Sequence, residues 1–280
     1  MEPLQRSESR EFVEALARGI EVIRAFDTMH MAMSVSEVAS RTGLARPTAR
    51  RLLITLEQLG YVRLVDGVYT LTARTLELGT AYISSLGVWD LARPHMQALV
   101  EQTRESSSMS QLDGSDVVYV ARVAVPKIIA LSVTIGTRFP AVATSMGRVL
   151  LASLDDDALS VVLDTPSASG IVPRVQPDRA ELDAVLATVR EQGWAMSDEQ
   201  LSVGIRSVAV PVAGPGGVVT AAMNVTTHAA ETSVERLLGE HLPLLLEAAS
   251  AIGDEWSHLA RLPSVLMGSS GSTGVGRDQR

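Results

Sequence analysis

The residues best suited to chemistry stand at the start of one predicted helix, which runs from about Arg46 to Leu59. Its first six positions carry three cations and a hydroxyl that can bond guanine edges or phosphate oxygens: Arg46, Thr48, Arg50 and Arg51. Leucines at three- and four-residue spacing give this helix an apolar face on its other side. The pattern predicts a helix that enters the major groove of DNA. The alternative is an ordinary amphipathic helix whose basic face is solvated.

A shorter helix and a turn precede this helix. Ser34 and Glu37 have the spacing of a capping box, and Gly43 can adopt the positive φ that ends a helix. Pro47 falls in the first turn of the second helix, where a missing N–H costs little. These signals predict a helix-turn-helix at about 34–55, in which the second helix reads the bases.

A predicted β-hairpin at 61–71 follows the second helix. Two β-prone runs flank Asp66-Gly67, and Asp-Gly is a strong signal for a tight hairpin turn. A hairpin in this place is a wing that lies along the DNA backbone or in the minor groove. Phosphate would repel Asp66 at the tip, so Arg63 is the predicted contact of the wing.

The charge of the chain is unevenly distributed. The net charge is −8, yet residues 1–75 hold ten arginines against nine acidic residues, a net of +1. The remainder holds fourteen basic and twenty-three acidic residues, a net of −9. Because phosphate neutralisation supplies most non-specific affinity, DNA binding must rest on the local arginine cluster and, we expect, on two copies of the chain.

Several classes of protein are disfavoured by what the sequence lacks. There is no cysteine, which excludes disulfides, thiolate nucleophiles and cysteine-ligated metals. The five histidines have no metal-ligand spacing, and no phosphate loop, nucleophile elbow or paired-carboxylate motif is present. No apolar run is long enough to span a membrane, and the charged N-terminus is not a signal peptide. We therefore expect a soluble cytoplasmic protein that is not an enzyme and needs no cofactor.

The pattern changes to mixed strands and helices from residue 88 onward. Strands are predicted at 107–112, 117–123, 128–135, 194–197, 207–212 and 218–226, and helices at 91–105, 143–152, 155–163, 178–192 and 233–262. Strands in the middle with helices at both ends indicate an α+β domain on a mostly antiparallel sheet. The expected organisation is a disordered arm (1–11), a winged helix-turn-helix (12–72), a linker helix (73–87), this second domain (88–262) and a disordered tail (263–280). The alternative for 73–87 is an ordinary helix of a third domain.

Two polar groups in the second domain suit a small organic acid. Backbone N–H groups of Ser145, Met146 and Gly147 at a helix start can bind a carboxylate, with Arg148 or Arg138 adding charge. Plain helix capping is the alternative. Asn224 and Thr226 share one face of a predicted strand and can bond ring hydroxyls, or that face is solvent-exposed. His228 is open between a ligand contact and a surface turn, and Arg206 is expected to be structural.

Taken together, these features resemble the IclR family of bacterial transcriptional regulators, over about residues 12–260. The specific segments are SVSEVASRTGLARPTARRLLITLEQLGYV at 34–62, TSMGRVLLA at 144–152 and DEQLSVGIRSVAVPV at 198–212. A further resemblance is to the branch that regulates aromatic-acid breakdown through protocatechuate and β-ketoadipate. It rests on EALARGIEVIRAFD at 14–27, VYVARV at 118–123 and NVTTHAAETS at 224–233.

The resemblance implies a GAF-like effector-binding domain, dimers or dimers of dimers, and a small, often anionic, effector. Its motifs place the effector contacts at Ser145, Met146, Gly147, Asp198, Ile205, Ser207, Asn224 and Thr226. Many relatives have Gly where Ser145 stands and Cys where Ser207 stands, so the hydrogen-bond pattern of the pocket is open.

The expected function is a regulator of aromatic-acid catabolism that binds double-stranded operator DNA as a homo-oligomer and senses an acid such as protocatechuate. RNA polymerase is an open further partner, and no membrane is expected. The effector would change the spacing of paired winged helices through the linker helix. The alternative makes the second domain a protein-interaction module without a small ligand.

Overall fold

The structure is a computed structural model, and it describes residues 11–27, 29–79, 88–126 and 133–260. Contacts divide the chain at residue 86 into an N-terminal unit and a C-terminal unit. Residues 76–79 of the expected linker helix are helical, and its remainder from residue 80 lies outside the described residues. The tail expected at 263–280 and all but the last residue of the arm also lie outside them.

The N-terminal unit contains three helices and a small antiparallel sheet. Its helices are α1 (Glu14–Arg24), α2 (Val35–Thr42) and α3 (Arg46–Gln58), and its strands are β1 (Ala32–Met33), β2 (Val62–Val65) and β3 (Val68–Leu71). The strand order is β1-β3-β2, so β2 and β3 form the wing. The predicted winged helix-turn-helix is confirmed, and β1 is an addition that is too short to leave a periodic signal.

Local side-chain chemistry fixes both turns of this unit. Ser34 Oγ accepts a hydrogen bond of 3.3 Å from Glu37 N, and the Glu37 carboxylate accepts one of 2.7 Å from Ser34 N. These reciprocal bonds start α2, and Gly43 ends it at φ +65°. At the wing tip, Asp66 and Gly67 both have positive φ, as a tight hairpin turn requires.

The C-terminal unit is built on one antiparallel sheet of six strands in the order β6-β5-β4-β9-β8-β7. The strands are β4 (Ser106–Asp113), β5 (Asp116–Val123), β6 (Arg138–Pro140), β7 (Ala195–Asp198), β8 (Ile205–Ala213) and β9 (Val219–His228). The helices are α4 (Val88–Thr103), α5 (Ser145–Ala152), α6 (Asp156–Asp164), α7 (Arg179–Gln192), α8 (Val234–Arg236) and α9 (Leu242–Leu259). This confirms the predicted α+β class.

The two faces of this sheet bury different helices. Ala209 and Ala222 belong to the core cluster that contains Met146 and Leu150 of α5. Strand neighbours alternate between faces, so the buried Val208 lies on the other side, where α4 and α9 pack together. A ligand bound beside α5 would therefore lie across the sheet from α4.

Three sequence predictions need correction here. The strand predicted at 128–135 is wrong where the structure describes it, because 133–135 is irregular and the short β6 pairs with β5 instead. The helix predicted at 91–105 begins earlier than predicted, because α4 already runs from Val88 and buries Trp89 and Ala92, which places Pro94 inside the helix. The helix predicted at 233–262 is not continuous, because a π-helical segment, Leu237–His241, lies between α8 and α9.

Within the described residues, no helix combines the length and apolarity needed to cross a membrane.

Candidate functional site

The exposed surface of α3 carries its arginines on two edges. Arg46 and Arg50 are exposed and lie one turn apart. They share their edge with Glu57, whose carboxylate accepts a hydrogen bond of 3.3 Å from Leu64 N in the wing. The structure thus brings Arg46 and Arg50 to the side of α3 next to the wing.

The other predicted contacts lie elsewhere on this unit. Thr48 and Arg51 border a groove between α3 and α1. Arg63 on β2 donates from Nε to Thr70 Oγ1 at 3.2 Å across the hairpin. Within the described part of the chain, no ion pair or side-chain hydrogen bond engages the guanidinium groups of Arg46, Arg50 and Arg51, which leaves them available for bases or phosphates.

Substitution of Arg50 tests base reading directly. Arg50→Ala is expected to cost about 1–3 kcal/mol at a duplex selected by the wild-type protein, with relaxed preference at one base pair. Fluorescence anisotropy with the selected duplex and a scrambled one measures this. An equal loss on both duplexes would assign Arg50 to a phosphate. Arg179→Ala, which breaks an exposed pair with Asp183 on α7, is the matched control and should leave affinity unchanged.

A small cavity lies in the C-terminal unit, between the sheet and the turn before α5. Four predicted ligand residues line it: Ile205, Ser207, Asn224 and Thr226. Its volume is about 30 Å³, which holds about one or two water molecules. A benzoate ring is larger than this, so binding of an aromatic acid requires the walls to move.

Arg122 supplies a cation to this cavity. Its Nη1 donates to Ser108 Oγ at 2.9 Å, and within the described residues no carboxylate forms an ion pair with it. Burial lowers the pKa of the Arg122 guanidinium below its usual value, although arginine stays protonated at neutral pH. A half-buried cation without a counter-charge pays part of the cost of leaving water, and an anionic ligand would offset that cost.

The polar side chains around Arg122 are held by hydrogen bonds. Asn224 Oδ1 accepts from Ser108 N at 3.1 Å, and Asn224 Nδ2 donates to Thr226 Oγ1 at 3.0 Å. Burial raises the pKa of Tyr119, which lines the same cavity, to about 12. The phenol therefore stays protonated and can donate to a ligand.

Two serine hydroxyls face each other near the start of α5. Ser145 Oγ and Ser207 Oγ are 2.8 Å apart, and both side chains are buried. Ser197 Oγ donates to Ala143 O at 3.1 Å, which ties β7 to the turn before α5. The structure thus joins two residues that are 62 positions apart into one hydroxyl pair.

Met146 and Gly147 serve packing rather than lining the cavity. Gly147 N donates to Thr144 Oγ1 at 3.0 Å, so a helix cap already uses one of the three N–H groups assigned to a carboxylate. Met146 is fully buried, and its Sδ lies 3.3 Å from Ser110 Oγ. At Gly147 the geometry matches the capping alternative.

The other polar residues considered from sequence have partners within the fold. Asp198 lies on the opposite sheet face from Ser197 and forms a bidentate pair with Arg206, with distances of 2.8 and 3.0 Å. Arg148 donates to the carbonyls of Val142 and Met196, and Arg138 pairs with two aspartates of the β4–β5 hairpin. None of these four side chains lines the cavity.

Comparison with known proteins identifies the family. Residues 15–66 match the IclR helix-turn-helix domain, and residues 80–254 match the bacterial transcriptional regulator IclR C-terminal domain. The chain belongs to the IclR family. It is therefore a DNA-binding transcriptional regulator.

Individual relatives of this IclR-family protein include regulators of aromatic metabolism. The Pca regulon regulatory protein of Pseudomonas putida is 38% identical over 240 residues, which cover 85% of this chain and 82% of that protein. A Rhodococcus sp. RHA1 structure described as a transcriptional regulator is 45% identical with a TM-score of 0.78, covering 89% of this chain and 100% of its own. An IclR homolog from Microbacterium hydrocarbonoxydans in complex with 4-hydroxybenzoate is 26% identical with a TM-score of 0.76, covering 87% and 99%.

Sequence reasoning missed Arg122, the one cation among the described residues that line the cavity of this IclR-family regulator. Arg122 is part of the VYVARV segment, but its place on the sheet depends on strand register that composition does not reveal.

His228, which was open between a ligand contact and a surface turn, belongs to the turn. Its Nδ1 accepts a hydrogen bond of 3.2 Å from Ala230 N in the turn after β9. Among the described residues, no group of histidines and carboxylates is arranged to hold a metal ion.

Proposed function

We propose that this regulator senses a small aromatic carboxylate, of which protocatechuate and 4-hydroxybenzoate are the leading examples, and thereby controls genes of aromatic-acid catabolism. The observation that carries the proposal is Arg122, a cation in the cavity without a carboxylate partner among the described residues. The relative named for the Pca regulon and the homolog bound to 4-hydroxybenzoate support the same class of ligand.

The cavity offers different chemistry at its two ends. Arg122 is a donor that suits a carboxylate, and a charge-assisted bond of this kind is about twice as strong as a neutral one. Ser108 Oγ accepts from Arg122 Nη1, and its own O–H can donate to the same carboxylate. At the other end, Ser145 and Ser207 can exchange their mutual bond for bonds to a ring hydroxyl. The apolar side chains of Leu201 and Ile205 lie on the cavity wall, where they can cover the face of a ring.

The ligand contacts that we propose differ in part from those that the family motifs implied. Ser145, Ile205, Ser207, Asn224 and Thr226 are retained as contacts, because they line the cavity or bond to a lining side chain. Arg122, Ser108 and Tyr119 are added to them. Met146, Gly147 and Asp198 are not proposed as ligand contacts, because none of them lines the cavity.

A homodimer is the assembly that best fits the DNA-binding unit. Leu16 and Ile20 on α1 are 64% and 44% exposed, and Leu59 at the end of α3 is 52% exposed. These side chains border the groove between α1 and α3, whose volume is about 820 Å³. An exposed apolar surface of this kind favours association, and a second copy would place two recognition helices on a palindromic operator.

Thermal unfolding with a set of matched acids tests the ligand. The set comprises benzoate, 4-hydroxybenzoate, 3,4-dihydroxybenzoate and adipate, with 4-hydroxybenzamide as the uncharged control. A ligand at 100 times its Kd that binds only the folded protein adds about 2.7 kcal/mol of stability. We expect a hydroxylated aromatic acid to raise the unfolding temperature and the amide to leave it unchanged.

Other outcomes would contradict the proposal in distinct ways. An equal rise in unfolding temperature with 4-hydroxybenzamide would show that Arg122 does not anchor a carboxylate. The absence of any shift across the acids would favour the alternative in which the C-terminal unit is a protein-interaction module. A rise in unfolding temperature with adipate alone would mean that the ligand is an aliphatic acid.

A further inference from the structure

A continuous set of polar contacts leads from the sheet face opposite the cavity to the end of α4. It consists of Asp198, Arg206, Thr232 and Glu105, which we call the relay. We propose that the relay transmits effector binding from the cavity to α4. This inference rests on the proposed function, because it assigns a route to the response of that same cavity.

The relay begins on the strands that carry the cavity residues. Ser207 pairs with Ser197 across β8 and β7, and the next pair in the register is Arg206 with Asp198. Side chains alternate between sheet faces along a strand. A ligand that moves Ser197 or Ser207 on the cavity face must therefore move Arg206 or Asp198 on the other face.

Arg206 connects these strands to the turn after β9. Its Nε and Nη2 hold the two Asp198 oxygens, and its Nη1 donates to Thr232 O at 2.7 Å. A guanidinium has a planar set of donors that fixes the direction of each bond. A movement of Asp198 therefore also moves the Arg206 guanidinium, which in turn moves the carbonyl group of Thr232.

The second half of the relay reaches α4 through buried groups. Thr232 Oγ1 donates to Glu105 Oε1 at 3.3 Å, and both side chains are almost completely buried. Glu105 N in turn donates to Thr103 Oγ1 at 3.3 Å, and Thr103 Oγ1 donates to Leu99 O in the last turn of α4. Helix α4 starts at Val88, directly after the residues that join the two units covalently.

Burial makes the contact between Thr232 and Glu105 suited to transmission. A buried charged or polar group that loses its partner has no water to replace it, so the partners tend to move together. Close packing around Thr103 and Thr232, which are 5% and 2% exposed, further limits independent motion. Arg206, Thr232 and Glu105 are thus positioning residues that do not touch the ligand.

A double-mutant cycle on the ligand-free protein tests the coupling. Arg206→Lys loses the planar fork, and Thr232→Val removes the hydroxyl that reaches Glu105 while keeping the carbonyl. We expect Arg206→Lys to speed amide hydrogen exchange at residues 99–105 by about threefold or more, and to have no further effect there in the Thr232→Val background. Independent, multiplicative effects of the two changes would overturn the relay.

The matched control is a second arginine on a nearby exposed helix. Arg236 pairs with Glu240 at 3.0 Å, and Arg236→Lys should leave exchange at 99–105 unchanged. If Thr232→Val does not fold, Glu105→Met takes its place in the cycle, because it removes the oxygen that accepts the bond from Thr232 Oγ1 and keeps a side chain of similar size. An Arg236→Lys effect equal to that of Arg206→Lys would also contradict the proposal.

Operator binding with 3,4-dihydroxybenzoate provides the functional readout. Thr232→Val is expected to keep the Kd for the acid within about twofold of wild type and to reduce the acid-induced change in duplex Kd by about threefold or more. An unchanged response to the acid in Thr232→Val would overturn the relay. If wild type binds none of the aromatic acids in the thermal-unfolding set, the proposed function fails, and the exchange cycle still decides whether the relay exists. If it binds another acid of the set, that acid replaces 3,4-dihydroxybenzoate in this measurement.

Discussion

Replacing Arg122 with Leu should weaken binding of the aromatic acid by about 2–5 kcal/mol, which is about 30-fold to several thousandfold in Kd. The ligand carboxylate would enter a buried site that has lost its only cation among the described lining residues. Isothermal titration calorimetry with 3,4-dihydroxybenzoate measures the loss. Arg122→Lys should fall between wild type and Arg122→Leu, because it keeps the charge and lacks the paired donors.

In the absence of ligand, Arg122→Leu should not lower the stability of the protein. A guanidinium without a carboxylate is held partly out of water, so its removal is expected to leave the unfolding temperature unchanged or higher. Arg148→Leu should lower it, since Val142 O and Met196 O would lose their buried donor. A less stable Arg122→Leu protein that binds the acid normally would show that Arg122 is structural.

The position of Arg122 shows why the cavity was only partly predictable. Tyr119 and Arg122 are three residues apart, so strict alternation would place them on opposite faces of β5. A bulge between Met109 and Ser110 shifts the register, and Ser108 faces Arg122 while Ser110 faces Tyr119. Both side chains therefore line the same cavity. The bulge depends on the pairing of two strands and leaves no mark in the sequence of either.

Local chemistry explains what could be predicted. The capping box of Ser34 and Glu37 and the Asp66-Gly67 turn depend on neighbours within a few residues, so the sequence determines them directly. The hydroxyl pair of Ser145 and Ser207 joins distant segments. The family motifs mark both positions as effector contacts, but they do not predict that the two hydroxyls bond to each other. Asp198 illustrates the limit of such motifs, because strand pairing turns its carboxylate toward Arg206.

Gly147→Ala should destabilise the C-terminal unit by about 3 kcal/mol or more, at the upper end of the cost of overpacking a core. A Cβ at this position would lie 2.1 Å from Ala141 O and 2.4 Å from Ala141 Cα. These are backbone atoms in the turn that leads into α5, so they cannot rotate away as a side chain can. Gly147 is therefore required because the helix and this turn approach each other too closely for any side chain.

The matched control for this substitution is Gly239→Ala in the π-helical segment. A Cβ there meets no atom within 4 Å, so the change should leave stability unchanged or raise it by about 0.4–1 kcal/mol. Urea unfolding monitored by tryptophan fluorescence compares the two variants. Equal stability would mean that α5 can move away from Ala141. Such freedom would also carry Ser145 away from Ser207, so the pocket would then be adjustable at its hydroxyl end rather than fixed by the packing of α5.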